Sequence, residues 1–102
     1  MKMRIVNPTY QFPPGGYVTI SCQMELLDDS DVLLSALAVS STQPLSPKCF
    51  DAIEESFVRQ FNDHIASYKA LAGEILPLFP GTRSFDEAAK QFAARLVDKV
   101  RL

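Results

Sequence analysis

Apolar residues recur every three or four positions from Ser46 to Leu76, and no other pattern in the chain is as strong. At about 100° per residue, Phe50, Ile53, Phe57, Val58, Phe61, Ile65, Tyr68, Leu71, Ala72 and Ile75 fall within an arc of roughly 140°, the apolar stripe of an amphipathic helix. Ser46 and Pro47 read as its start, Ser as N-cap and Pro at the first helical position, with Asp51, Glu54 and Glu55 near the positive end of the dipole. Gly73 weakens the helix and Pro77 is expected to end it, which predicts a helix over 47–76. A compact domain of this length is shorter than such a helix, so part of the stripe should overhang.

A second 3–4 spacing follows. Phe85, Ala88, Ala89, Phe92, Ala93, Leu96, Val97 and Val100 predict a helix over 84–101, opened by Ser84 and Glu87 at capping-box spacing and closed by Lys99 and Arg101 at the negative end of its dipole. Between the two helices the run Leu76 to Pro80 is apolar but too proline-rich for regular helix, and it must pack somewhere.

The first 42 residues alternate instead. Met1, Met3 and Ile5 against Lys2 and Arg4 predict a strand that stops at Asn7-Pro8, followed by a Pro/Gly loop to Gly16. Its only large apolar residues, Tyr10 and Phe12, are expected to fold back over the sheet edge. Tyr17 to Leu27 is the clearest strand, with Val18, Ile20, Cys22, Met24 and Leu26 on one face and Thr19, Ser21, Gln23 and Glu25 on the other. Asp28-Asp29-Ser30-Asp31 reverses the chain. Val32 to Thr42 would also suit a short helix, but the acidic turn after an alternating strand, with β-branched Val32, Val39 and Thr42, predicts the third strand of a meander. That strand is apolar on both faces: Val32, Leu34, Ala36 and Ala38 on one, Leu33, Leu37 and Val39 on the other.

These elements define an α+β domain. A three-stranded antiparallel sheet (1–42) precedes two helices, the first long, packed on the face that carries Val18, Ile20, Cys22 and Met24. The length of 102 residues fits one domain, and 47% apolar against 22% charged residues is globular composition. The net charge of −2 indicates no pull toward polyanions. No apolar run is long enough to span a membrane and no export-signal pattern opens the chain, so a cytoplasmic protein with reduced Cys22 and Cys49 is expected.

Chemistry is harder to find. The single histidine, His64, falls on the apolar arc of the long helix, where Tyr68 or Gln60 is a turn away as a partner. Cys49 stands about four turns from it, too far for a thiol–imidazole pair on one helix. Glu54 also projects onto the apolar arc, where a carboxylate would either be buried or snorkel to water. The acidic turn lacks the spacing of a Ca²⁺ loop, and neither a phosphate-binding glycine loop nor a metal-ligand cluster is present. No catalytic, cofactor-binding or metal residues are assigned, and the sequence resembles no family we recognise.

Two functional classes remain. The first is a non-enzymatic protein-binding module, a regulator, inhibitor or adaptor, and a possible homodimer. Its contacts would be the second apolar face of the third strand (Leu33, Leu37, Val39) and the overhanging helix end (Tyr68, Leu71, Leu78, Phe79). The second is a single-stranded nucleic-acid binder using Lys2, Arg4 and Tyr17 on the outer sheet face, with Arg83, Lys90 and Arg95 from the last helix.

Overall fold

Strand β1 (Lys2–Gln11) pairs antiparallel with β2 (Tyr17–Leu27), which pairs antiparallel with β3 (Leu33–Pro44), giving a meander in the order β1-β2-β3. The long helix α1 (Cys49–Ile75) follows, then a 3₁₀ turn at Leu76–Leu78 and helix α2 (Phe85–Lys99). This computed structural model describes residues 1–101. The α+β architecture is the one the periodicities predict, with both helices on the same face of the sheet.

The first strand is longer than expected. It continues through Asn7 and Pro8 because a β-bulge between Val6 and Thr9 absorbs them, with Asn7 at φ 54. A bulge on an edge strand tolerates a residue without an N–H, and Asn adopts the left-handed region more readily than most side chains. The extra residue resets the alternation. Ile5 lies opposite Met24 and Tyr10 opposite Ile20, so two residues five apart face the same side of the sheet.

The long helix starts later than the Ser-Pro signal implies. Ser46, Pro47 and Lys48 form a turn in which the Cys49 N–H donates to the Ser46 carbonyl (3.1 Å), and the Ser46 side chain caps nothing. Gly73 does not interrupt the helix; Pro77 ends it by turning the next three residues into 3₁₀. The second cap is as predicted: the buried Ser84 hydroxyl accepts from the Glu87 N–H at 3.1 Å, and the Glu87 carboxylate accepts from the Arg83 N–H at 2.8 Å.

The core lies under α1. Met24, Leu26 and Val39 of the sheet pack with Phe61 and Tyr68, and a smaller cluster joins Val18 to Cys49 and Ile53. The outer sheet face is polar, laced by Arg4–Glu25 (2.6 Å), Thr19–Thr42 (2.7 Å) and Ser21–Ser40 (3.3 Å) contacts. The result is a flat two-layer body of 50 × 39 × 21 Å, with a radius of gyration of 17.3 Å. A compact chain of this length would have about 13 Å.

Candidate functional site

Neighbouring strands stand about 4.8 Å apart and packed helices about 10 Å, so a three-stranded sheet has room for more than one helix across its face. Here α1 lies over β3 and the adjoining part of β2, and α2 docks on β3 beyond it. β1 falls outside both footprints. Its inward residues Met3, Ile5 and Tyr10, with Phe12 just past its end, therefore stay exposed although they point to the same side as the core.

The gap is a slot whose floor is sheet and whose wall is the first half of α1. One part, about 430 Å³, is lined by Ile5, Ile20 and Cys22 below and by Phe50, Glu54, Phe57 and Val58 along the helix. A second, about 360 Å³, continues past Phe50 to Leu45, Tyr10 and Phe12 and has only apolar and aromatic lining. Phe50 belongs to both and is 62% exposed; Ile5 is 44% exposed. Tyr10 and Phe12 stack edge to face, ring centroids 5.5 Å apart, and extend the slot rather than closing over the sheet edge. Exposed apolar surface that is continuous, framed by a rigid helix and sheet, and rimmed by polar groups is the form of a docking surface.

Glu54 and Cys22 line the first part of this slot, and Tyr10 the second. Glu54 is exposed on the wall, where it reaches water, and makes no ion pair among the described residues. Cys22 sits on the floor, and burial pushes its thiol up, away from the reactive thiolate. His64 bonds neither Tyr68 nor Gln60: its Nε2 lies 2.9 Å from Oγ of the buried Ser35 on β3, while Gln60 donates to Ser56. This imidazole therefore fastens α1 to the sheet. No cluster of His, Cys, Asp and Glu suited to a metal occurs among the described residues, and no helix is long and apolar enough to cross a membrane.

The basic residues of the outer sheet face are tied to acids. Lys2 Nζ lies 2.6 Å from Asp31, and this hydrogen bond raises the Lys2 pKa and lowers that of Asp31. Arg4 holds Glu25 at 2.6 Å. On α2, Lys90 pairs with Asp86 at 3.0 Å and Arg95 lies over the Phe79 ring at 4.8 Å, and Arg83, just before the helix, stands 3.8 Å from Glu87.

The contact residues expected from sequence are dispersed. Val39 is 4% exposed and Leu37 packs against the same core, because the pairs Cys22–Val39 and Met24–Leu37 turn them toward the helices. The uncovered second face expected of β3 instead carries small residues, Ala36 and Ala38, and Leu33 is half-buried at the strand's start. Tyr68 is 8% exposed, stacked on Phe85. Leu71 and Leu78 are exposed, and Phe79 is half-buried under Arg95. The slot along β1 was not anticipated. Its signal was the change of phase between Met3/Ile5 and Tyr10/Phe12, which a loop assignment hides and a bulge explains.

No family model matches this chain, and no characterised protein and no solved structure matches it either.

Proposed function

We propose that this chain is a non-enzymatic protein-binding module, a small regulator, inhibitor or adaptor, that takes an apolar helical segment of a protein partner into the slot between β1 and α1. The observation that carries the reading is the uncovered inward face of β1 beside the exposed Phe50 and Val58 of α1. An amphipathic helix laid there would complete a helical layer that α1 only half supplies, the helix-in-groove mode of recognition. Two unpaired thiols, one of them buried, support a reducing, cytoplasmic setting.

The test is a comparison of baits. Wild-type chain and Ile5→Asp are used to capture proteins from the native cell, with nuclease-treated and high-salt arms. Proteins retained through nuclease and salt by the wild type and lost by Ile5→Asp support the reading, since apolar docking is insensitive to salt. Capture abolished by nuclease, falling steeply with salt, would instead favour nucleic acid held by phosphate contacts. Identical capture by the two baits would remove the slot from the account.

A further inference from the structure

Helix α2 begins on the body and ends off it. Its first turns hold Phe85 against Tyr68 and bury Ala88, but from Phe92 to Val100 every residue is exposed. The apolar stripe runs on regardless. Phe92, Leu96 and Val100 continue the face that Phe85 opens, and Ala93 and Val97, the latter 76% exposed, widen it to roughly 140° of arc. A helical stretch this short is marginal in water unless its apolar face is packed. We infer that α2 pairs antiparallel with α2 of a second copy, across a two-fold axis perpendicular to both helices, with Phe92 of each lying opposite Leu96 of the other. This surface is separate from the slot, and the inference does not rest on it.

Area allows a second copy. The chain exposes 7182 Å², whereas a folded monomer of 11.3 kDa exposes about 5,700 Å², a surplus of about 1,500 Å². An interface of about 1,000 Å² in total, near the least that a specific contact buries, takes about 500 Å² from each copy, a third of that surplus. The rest is left to the slot.

Shape and charge favour this pairing over others. With Phe92 opposite Leu96, the partner's Val100 arrives opposite Ala88 and beside the exposed Ala89. There a cavity of about 250 Å³ opens between the root of α2 and β3, lined by Ser35, Ala36, Phe85, Asp86 and Ala89. An apolar side chain from each copy therefore meets a recess in the other. α2 is acidic in its first turn, at Asp86 and Glu87, and basic in its last, at Lys99. Antiparallel pairing sets the basic end of each helix toward the acidic start of the other, whereas parallel pairing would bring like ends together.

The pairing leaves α1 and the slot untouched. α2 docks on the β3 side of α1 and the slot lies on the β1 side, so a two-fold through α2 puts the two slots at the far ends of an elongated dimer. Closed two-fold pairing is also the commonest solution among homo-oligomers. A dimer of this form holds a partner that offers two helices more tightly than one slot does.

The experiment is sedimentation equilibrium followed by disulfide trapping. Wild-type chain should approach twice the 11.3 kDa monomer mass at tens of micromolar. Leu96→Asp, at the centre of the contact, should raise the dimer dissociation constant at least about 30-fold, the least expected of a central interface residue. Should Leu96→Asp fail to fold, Val97→Asp replaces it. Ile5→Asp, which spoils the slot, should keep the doubled mass. Phe92→Cys and Leu96→Cys chains are then oxidised alone and as an equimolar mixture, with wild type and its own two cysteines as the control. Antiparallel pairing predicts covalent dimer mainly between unlike chains in the mixture. A wild-type mass that stays single at every concentration overturns the inference, as does a Leu96→Asp chain that remains dimeric, an Ile5→Asp chain that falls apart, or covalent dimer formed as readily by either variant alone. The bait comparison reads the slot and not the mass, so the two readings fail separately.

Discussion

Tyr68 of α1 and Phe85 of α2 meet edge to face, ring centroids 5.0 Å apart and planes at 88°, and this contact carries α2. Beyond Phe85, α2 buries only Ala88. Tyr68→Ala should therefore lower stability by about 3–5 kcal/mol in urea unfolding, as loss of a buried aromatic does, and Phe85→Ala by less because Phe85 is half-buried. A double-mutant cycle should return a coupling of about 0.5–1.5 kcal/mol for the ring pair. A coupling of zero would show that the rings touch without mutual stabilisation.

Core and slot should respond differently to the same change. Met24 and Ile5 are paired across β1 and β2 and point to the same side, yet Met24 is fully buried and Ile5 is not. Met24→Ala should cost about 2–5 kcal/mol. Ile5→Ala should cost less than about 1 kcal/mol in the isolated chain, since much of its surface already faces water. Equal losses would mean that the slot is filled from within.

The caps give a paired test of how the helices begin. Ser84→Ala removes a buried hydroxyl that holds the Glu87 N–H, and should cost about 1 kcal/mol. Ser46→Ala should change stability hardly at all, because Ser46 contributes its carbonyl rather than its side chain. Thermal unfolding of both variants separates these outcomes.

The Lys2–Asp31 pair sets a pH dependence at the open end of the sheet. Its hydrogen bond lowers the Asp31 pKa from 3.8 and raises the Lys2 pKa from 10.5. The carboxylate contribution is present above pH 3.8 and is lost as pH falls through the lowered Asp31 value. The ammonium contribution is present below pH 10.5 and is lost as pH rises through the raised Lys2 value. Carboxyl carbon shifts in an NMR titration should place the Asp31 midpoint below 3.8, and Lys2→Met should bring it back up. An unchanged midpoint in Lys2→Met would show that the pair does not persist in solution.

Sequence conveyed the fold through periodicity and lost the site through registration. The period-2 run of β2 and the 3–4 spacing of α1 depend only on which side is buried, so Met24 and Phe61 are recognisable as inward-facing from the chain alone, whereas Tyr68, expected on an overhanging end, is buried against Phe85. The bulge at Asn7-Pro8 is different, because Pro and Gly signals are shared by loops and irregular edge strands. Reading it as a loop removed Tyr10 from the sheet and concealed the face it shares with Ile5. The two faces of β3 were exchanged for a related reason: a strand with apolar residues at nearly every position does not declare which set is inward. Its register against β2 decides, and that is a tertiary fact. The partner of His64 was misplaced likewise, since a helical neighbour is visible in sequence and Ser35, 29 positions away, is not.

The most direct test of the account is a photoreactive phenylalanine analogue placed at Phe50, in the middle of the slot, and separately at Arg59, on the solvent side of the same helix. Irradiation in the native cell should yield adducts to another protein at position 50, and few or none at position 59. Adducts equally abundant at both positions, or none at position 50, would contradict the slot as the surface through which this protein acts.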